Sequence, residues 1–179
     1  MTSDLVQNDA SQRCIWTFGH STRSQDEFIA ALKSFNVDVL VDVRRYPGSK
    51  KYPHFNVSAL KEYLYESGIK YLQVPGLGGR RKPRIDSKNH VWRNAAFRGY
   101  ADYMESEEFH SAINSLENIA LNSRTAYMCS EAVWWRCHRA LISDYLKDKG
   151  WKVMHIMKEN LALEHPYTSA HLQTPYARS

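Results

Sequence analysis

Val37-Asp38-Val39-Leu40-Val41-Asp42-Val43 runs directly into Arg44-Arg45-Tyr46-Pro47-Gly48. Valine and leucine dominate the first seven positions, and a β-branched, nearly continuous apolar run favours a strand buried on both faces. Pro47-Gly48 then marks a turn. Such a strand suits the interior of a parallel sheet. The basic turn after it falls at the carboxyl edge, where open α/β sheets gather their sites.

Upstream, Cys14-Ile15-Trp16-Thr17-Phe18 reads as another buried strand, ended by Gly19-His20-Ser21. Ser24 and Glu27 have the spacing of a capping box, and Phe28, Leu32 and Phe35 line one face of the helix that follows. Downstream, Asn56 or Ser58 caps a helix bearing Leu60, Tyr63 and Leu64 that stops at Gly68. Residues 69–74 form a third strand, closed by Pro75-Gly76. Residues 78–94 read as a long basic loop, 99–104 as helical, and Ser106 caps a helix carrying Phe109, Ile113, Leu116 and Ala120. Residues 125–128 form a fourth strand, and 151–157 a fifth. Between these two, a helix is predicted from Glu131 or Ala132 to Lys149. Residues 158–179 show no period and read as a tail.

Strands separated by helices imply parallel pairing, because a parallel return needs a crossover of about a dozen residues. The expected fold is α/β, a three-layer sandwich with a mostly parallel sheet of about five strands. Residues 1–13 are expected to be a flexible leader and 14–179 a single domain. The chain of 179 residues suits one domain, and its 43% hydrophobic content excludes a disordered or collagen-like chain. No apolar run reaches the roughly 20 residues a membrane-spanning helix needs. Three cysteines and a polar start predict a reducing, cytoplasmic setting.

Charge is concentrated. Residues 44–54 carry Arg44, Arg45, Lys50 and Lys51 without an acid, and residues 80–98 carry seven basic residues against Asp86 alone. The whole chain is only +5, so the remainder is net acidic. Both windows interleave aromatics, Tyr46, Tyr52 and Phe55 in the first, Trp92 and Phe97 in the second. Cations track phosphates and aromatic faces stack on bases. The expected partner is therefore a nucleic acid or nucleotide phosphate, bound by Arg44, Arg45, Tyr46, Arg80, Arg81, Trp92, Arg98 and Arg139. Solvated loops are the alternative.

The residues that follow the strands supply the candidate chemistry. Cys129 ends the fourth strand; before a helix N-terminus its thiolate would be favoured and nucleophilic. The alternative is a small buried hydrophobe. Glu131 could be a general acid or base, or a first-turn carboxylate facing the helix dipole. His20 could be a general base or a phosphate donor, or a turn histidine bonded to backbone. Trp134, Cys137, Leu141 and Tyr145 recur on one helical face, which makes Cys137 core, and His155 likewise reads as core.

No metal and no cofactor are expected. A zinc site from Cys129, Cys137 and His138 has none of the compact zinc spacings. A phosphatase-like Cys-x5-Arg loop would need arginine where Trp135 stands, and Val41-Asp42-Val43-Arg44 echoes the rhodaneses only weakly.

Taken together, Thr17-Phe18-Gly19-His20-Ser21, Val41-Asp42-Val43-Arg44, Leu77-Gly78-Gly79-Arg80, residues 97–104, Met128-Cys129-Ser130-Glu131, Cys137-His138-Arg139 and Thr174-Pro175-Tyr176 resemble the bacterial and archaeal domain-of-unknown-function family 488. The resemblance runs from Ile15 to Arg178. It implies a compact α/β domain and hands over no reaction, substrate or cofactor. Ser130 stands where members often have alanine.

Three functions remain open from sequence. The first is an enzyme acting on a nucleic acid or nucleotide through His20, Cys129 and Glu131. The second is a non-catalytic nucleic-acid binding module. The third is a sulfurtransferase or redox protein centred on Cys129.

Overall fold

Alternation along the strands divides the core in two. In the computed structural model, which describes residues 12–174, strand β2 (Val39–Asp42) is buried throughout. Val39 and Val41 enter one apolar cluster and Leu40 the other, as the two-residue period of a strand requires. The neighbouring strands are β1 (Cys14–Gly19), β3 (Lys70–Gln73), β4 (Thr125–Cys129), β5 (Lys152–Lys158) and β6 (Leu161–Glu164). They form one sheet in the order β3-β2-β4-β1-β5-β6. The first five are parallel, and β6 pairs antiparallel with β5.

Helices cover both faces, giving three layers. Helices α1 (Gln25–Ser34) and α2 (Val57–Glu66) pack Phe28, Leu32, Leu60 and Leu64 against Phe18, Leu40, Ala126 and Met128. On the other face, α3 (Ala95–Tyr103), α4 (Glu107–Asn122) and α5 (Arg139–Asp148) pack Tyr100, Phe109, Ile113, Leu116 and Leu141 against Ile15, Val41, Tyr127 and Val153. Full burial of each large aliphatic or aromatic side chain contributes ~1.5–3 kcal/mol. The predicted capping box on α1 is present: Glu27 N donates to Ser24 Oγ at 3.2 Å, and Ser24 N donates to Glu27 Oε2 at 2.8 Å.

The structure departs from the sequence reading in three places. The sheet has a sixth strand where an aperiodic tail was expected. Glu159 and Asn160 connect it to β5, and Asn160 takes φ of 60°, the conformation a tight hairpin turn requires and asparagine tolerates. Helix α3 begins at Ala95, capped by Asn94 Oδ1, rather than at Gly99. Most consequentially, α5 starts at Arg139 and not at Glu131 or Ala132. Residues 130–138 instead form a loop with one 3₁₀ turn, Trp134–Arg136. In that loop Trp134 lays its ring on His155 of β5, with centroids 4.4 Å apart, a contact that holds the segment over the sheet.

The leader expected over residues 1–13 lies outside the described residues apart from residues 12 and 13, as do Pro175 and Tyr176. Among the described residues, no helix is long and apolar enough to cross a membrane.

Candidate functional site

Strands β1 and β4 are neighbours, yet the chain leaves them in opposite directions. From β1 it crosses through α1 on one face, and from β4 through α5 on the other. Such a divergence opens a crevice at the carboxyl ends of the two strands. A cleft of about 650 Å³ sits there, a size suited to a small organic ligand. His20, Arg44, Cys129 and Glu131 all line it.

The cleft floor is built by close backbone approach. His20 N donates to Cys129 O at 2.9 Å and Ser21 N to Ser130 O at 3.0 Å, which carries the β1–β4 pairing past the strand ends. Gly19 permits this, because a Cβ there would stand 1.8 Å from Glu131 O and 2.8 Å from Arg139 Nη2. Gly19→Ala is therefore expected to displace the loop that follows Cys129 and to destabilise the fold by about 3 kcal/mol or more, the upper range for overpacking. A urea midpoint within experimental error of wild type would show that the loop yields freely and would reject this reading.

Cys129 is 3% exposed. Arg139 Nε donates to its Sγ at 2.9 Å, and Cys137 Sγ lies 3.0 Å away. Arg139 is itself 1% exposed. Its remaining donors reach only neutral oxygens, Thr17 Oγ1 at 3.0 Å and Glu131 O at 2.7 Å. Among the described residues no carboxylate pairs with it. A guanidinium stays charged in proteins, and a buried charge needs a counter-charge. The group positioned to supply it is the Cys129 thiolate. Burial alone raises this thiol, but the Cys137 hydrogen bond, the Arg139 charge and the Glu131 and Arg139 contacts outweigh burial and bring it down to about 6. Cys137 is pushed well up by the same hydrogen bond, by burial and by the nearby Cys129 charge. The proton of the pair therefore belongs to Cys137.

The structure reassigns several predicted roles. The sequence reading placed Cys129 before a helix N-terminus, but α5 begins ten residues on, so the Cys137 hydrogen bond and the Arg139 guanidinium, and not the helix dipole, account for the lowered thiol. Arg139 was expected to bind phosphate; it is buried beneath the floor, facing sulfur. Cys137 was expected on an apolar helix stripe; it lies in the loop, against Cys129 and 3.4 Å from His138 Nδ1. His138 is held near a pKa of about 3 by burial and by the charges of Arg139 and Arg81, and so is neutral. These two sulfurs and His138 converge more than their spacing suggested, but the guanidinium beside Cys129 opposes a second cation there.

His20 is stacked on Phe55, with centroids 4.0 Å apart. With Nδ1 donating to Ser21 O at 3.0 Å, Nε2 accepts from Arg44 Nη1 at 3.3 Å. Burial, with the Arg44 charge adding to it, lowers this imidazole to about 4. The ring is neutral at pH 7 and its basic nitrogen is turned to Arg44, an arrangement that positions rather than abstracts protons. Arg44 is 7% exposed and forks onto Asp42, with Nε at 2.9 Å and Nη2 at 2.7 Å. Its charge is already matched, and it also braces Phe55 O.

Free cationic groups lie on the rim. Arg45, Arg80 and Arg136 are exposed and line the cleft. The Arg45 and Arg80 guanidiniums stand 5.4 and 5.9 Å from the ring centroid of Tyr46, which is 63% exposed. Arg45 Nη1 also donates to Arg80 O at 3.1 Å, tying the two basic windows together. Glu131 is the one carboxylate among the residues lining the cleft. Arg81, Trp92 and Arg98 do not join this rim. Arg81 lies on Tyr103 at 3.6 Å, and Arg98 Nε donates to Trp92 O at 3.0 Å. Trp92 is 9% exposed within the core, so its ring cannot serve as a stacking platform. Phe97, the other aromatic of the second basic window, does line the cleft, and Arg136 and Tyr100 line it without having been singled out for it.

A family model described as Domain of unknown function DUF488 matches residues 24–146, more than half of the chain. The chain belongs to this family. No curated protein and no solved structure matches it. The DUF488 match takes in Arg44, Arg80, Cys129, Cys137 and Arg139, whereas Gly19-His20-Ser21 precedes it and β5 and β6 follow it.

Proposed function

We propose that this DUF488 chain is a thiol-dependent enzyme that uses Cys129 as a nucleophile on a phosphate-bearing substrate of nucleotide size. One observation carries the reading: a buried arginine with no carboxylate partner among the described residues lies 2.9 Å from a cysteine on the floor of the switch-point cleft. Arg139 keeps Cys129 as the thiolate, the reactive form. Arg45, Arg80 and Arg136 hold the substrate phosphate, and Tyr46 offers an exposed face to a base. Glu131 is the acid or base at the mouth. His20 and Arg44 form the wall and keep its shape.

The test is protection of Cys129. Nucleoside monophosphates are expected to slow its alkylation by iodoacetamide and to raise the melting temperature, with both effects fading as salt screens the rim. Arg45→Ala with Arg80→Ala should remove most of that salt sensitivity, and Tyr46→Ala should weaken binding by about 1–3 kcal/mol with little change in it. Full-rate alkylation in millimolar nucleotide at low salt would end the nucleotide reading.

A second reading, nucleic-acid binding without turnover, is favoured by the exposed Tyr46 with two guanidiniums within 6 Å of its ring centroid. It requires a labelled oligonucleotide to bind with steep salt dependence and with no change after Cys129 is alkylated.

A further inference from the structure

The nucleophile reading uses Cys129 and gives Cys137 only a hydrogen bond to it. Cys137 Sγ is 3.0 Å from Cys129 Sγ. Both are free thiols, and both line the same cleft. A disulfide has an S–S distance of about 2.05 Å, so closing the bond asks the two sulfurs to approach by about 1 Å. Cys137 sits in the loop that begins after β4, and that loop is irregular between Ser130 and His138. A loop can take up such a shift more readily than the helix that sequence reasoning expected. His138, whose Nδ1 is 3.4 Å from Cys137 Sγ, is packed over Gly79, where a Cβ would meet Nδ1 at 2.8 Å. The second thiol thus lies between Cys129 and His138.

We infer that Cys129 and Cys137 are a two-cysteine peroxide-reactive site, with Cys129 the attacking thiolate and Cys137 the thiol that resolves the product as a disulfide. The inference rests on the thiolate assignment above and adds a substrate class, the hydroperoxides. In the first step the Cys129 thiolate attacks one peroxide oxygen. The S–O bond forms as the O–O bond breaks, and the departing oxygen leaves as hydroxide or alkoxide. Sulfur is oxidised to sulfenic acid and the peroxide is reduced. In the second step Cys137 sulfur attacks the Cys129 sulfenic sulfur. The S–S bond forms, the S–O bond breaks, and the hydroxyl departs with the Cys137 proton as water. One hydrogen peroxide, one thiolate and one thiol thus give one disulfide, one water and one hydroxide.

Three features favour a peroxide. A thiol only 3% exposed at the base of a cleft is reached more easily by a two-oxygen molecule than by a bulky oxidant. The Arg139 guanidinium, donating to Cys129 Sγ and to Glu131 O, places positive charge beside the oxygen that gathers negative charge as the O–O bond breaks. The disulfide would also deprive buried Arg139 of its counter-charge. Stabilising the thiolate form makes a disulfide more oxidising, so the oxidised pair should be reduced readily by small thiols and the site can cycle.

The experiment treats the full reduced chain with one equivalent of hydrogen peroxide at pH 7. Free thiols, intact mass and tryptic peptides are then measured. Wild type should lose two of its three thiols and about 2 Da, with Cys129 and Cys137 in one linked peptide, and 1 mM dithiothreitol should restore both. Cys14, partly exposed and with its pKa raised by burial, should stay reduced and serves as an internal control. Cys137→Ser should stop at a Cys129 sulfenic acid trapped by dimedone, at least tenfold more abundant than in wild type. The wild-type linkage needs no variant, so a misfolded substitution cannot mask the result. If Cys129 alkylates rapidly but peroxide gives no linked peptide, or drives Cys129 to the sulfinic acid at the same rate with and without Cys137, the two-cysteine site is wrong and the nucleophile reading stands. If Cys129 neither alkylates nor oxidises at pH 7, both fall.

Discussion

Arg139→Gln should raise the pH midpoint of Cys129 alkylation from about 6 toward the ordinary thiol value of 9.0, with the Cys137 hydrogen bond holding it short of that value. The substitution removes the cation and one of the hydrogen bonds that offset burial, and burial alone raises a thiol. At pH 7 the thiolate fraction should fall, with about ninetyfold as the limit that a midpoint of 9.0 would set. The rate at pH 7 will fall less than that, because a more basic thiolate is a better nucleophile, with a Brønsted slope of roughly 0.4–0.5. The net loss at pH 7 is then at most about sixfold, and the midpoint is the decisive measurement. Arg139→Lys keeps the charge but loses the fork that reaches Thr17 and Glu131, so its midpoint should fall between the two. A midpoint that stays near 6 in Arg139→Gln would remove Arg139 from the account of the thiolate and, with it, the observation on which the proposed function stands.

What the sequence made legible was what short stretches decide. The valine-rich run before Arg44 sits inside the sheet because β-branched apolar residues leave it few alternatives. The Ser24–Glu27 capping box formed because both its hydrogen bonds lie within four residues. Strand order along the chain put His20, Arg44, Cys129 and Glu131 at one edge, and all four line one cleft. The pairing of Asp42 with Arg44 was readable too, since residues two apart on an extended chain share a side, and it would have shown Arg44 to be neutralised.

The Cys129–Arg139 contact was out of reach for a different reason. It depends on where α5 begins, and helical spacing continued through Trp134 and Cys137 as though the helix were already under way. What breaks that spacing is a contact between Trp134 and His155, about twenty residues apart, which no local pattern encodes. Trp92 and Arg81 failed similarly: a loop's composition says that it is basic and aromatic, and only packing against Tyr103 and the α3 layer decides which side chains turn inward.

Cys129→Ser should destabilise the protein by an amount that grows as pH rises from 6 to 9, although the exchange is nearly isosteric. The folded state lowers the Cys129 thiol from 9.0 to about 6, so it binds fewer protons than the unfolded chain between these values. A depressed pKa contributes stability that is fully present above the unfolded value and is lost as pH falls through the folded one. For this side chain, 3% exposed, the contribution grows steadily across this window, from roughly 1 kcal/mol at pH 7 to roughly 3–4 kcal/mol at pH 9. Serine does not ionise in this range and lacks it, leaving the buried guanidinium without a counter-charge at every pH. Any difference in packing between sulfur and oxygen adds a constant and leaves the slope alone; Cys129→Ala should therefore give the same slope with a different offset. Above about pH 9 the raised Cys137 thiol works the other way, because a raised pKa contributes stability below the unfolded value and loses it above. Urea unfolding of wild type and both variants at intervals between pH 6 and 9 reads the slope directly. Parallel curves for the three proteins would mean that Cys129 is a neutral thiol in the folded state, and that Arg139 is buried for a reason other than holding its charge.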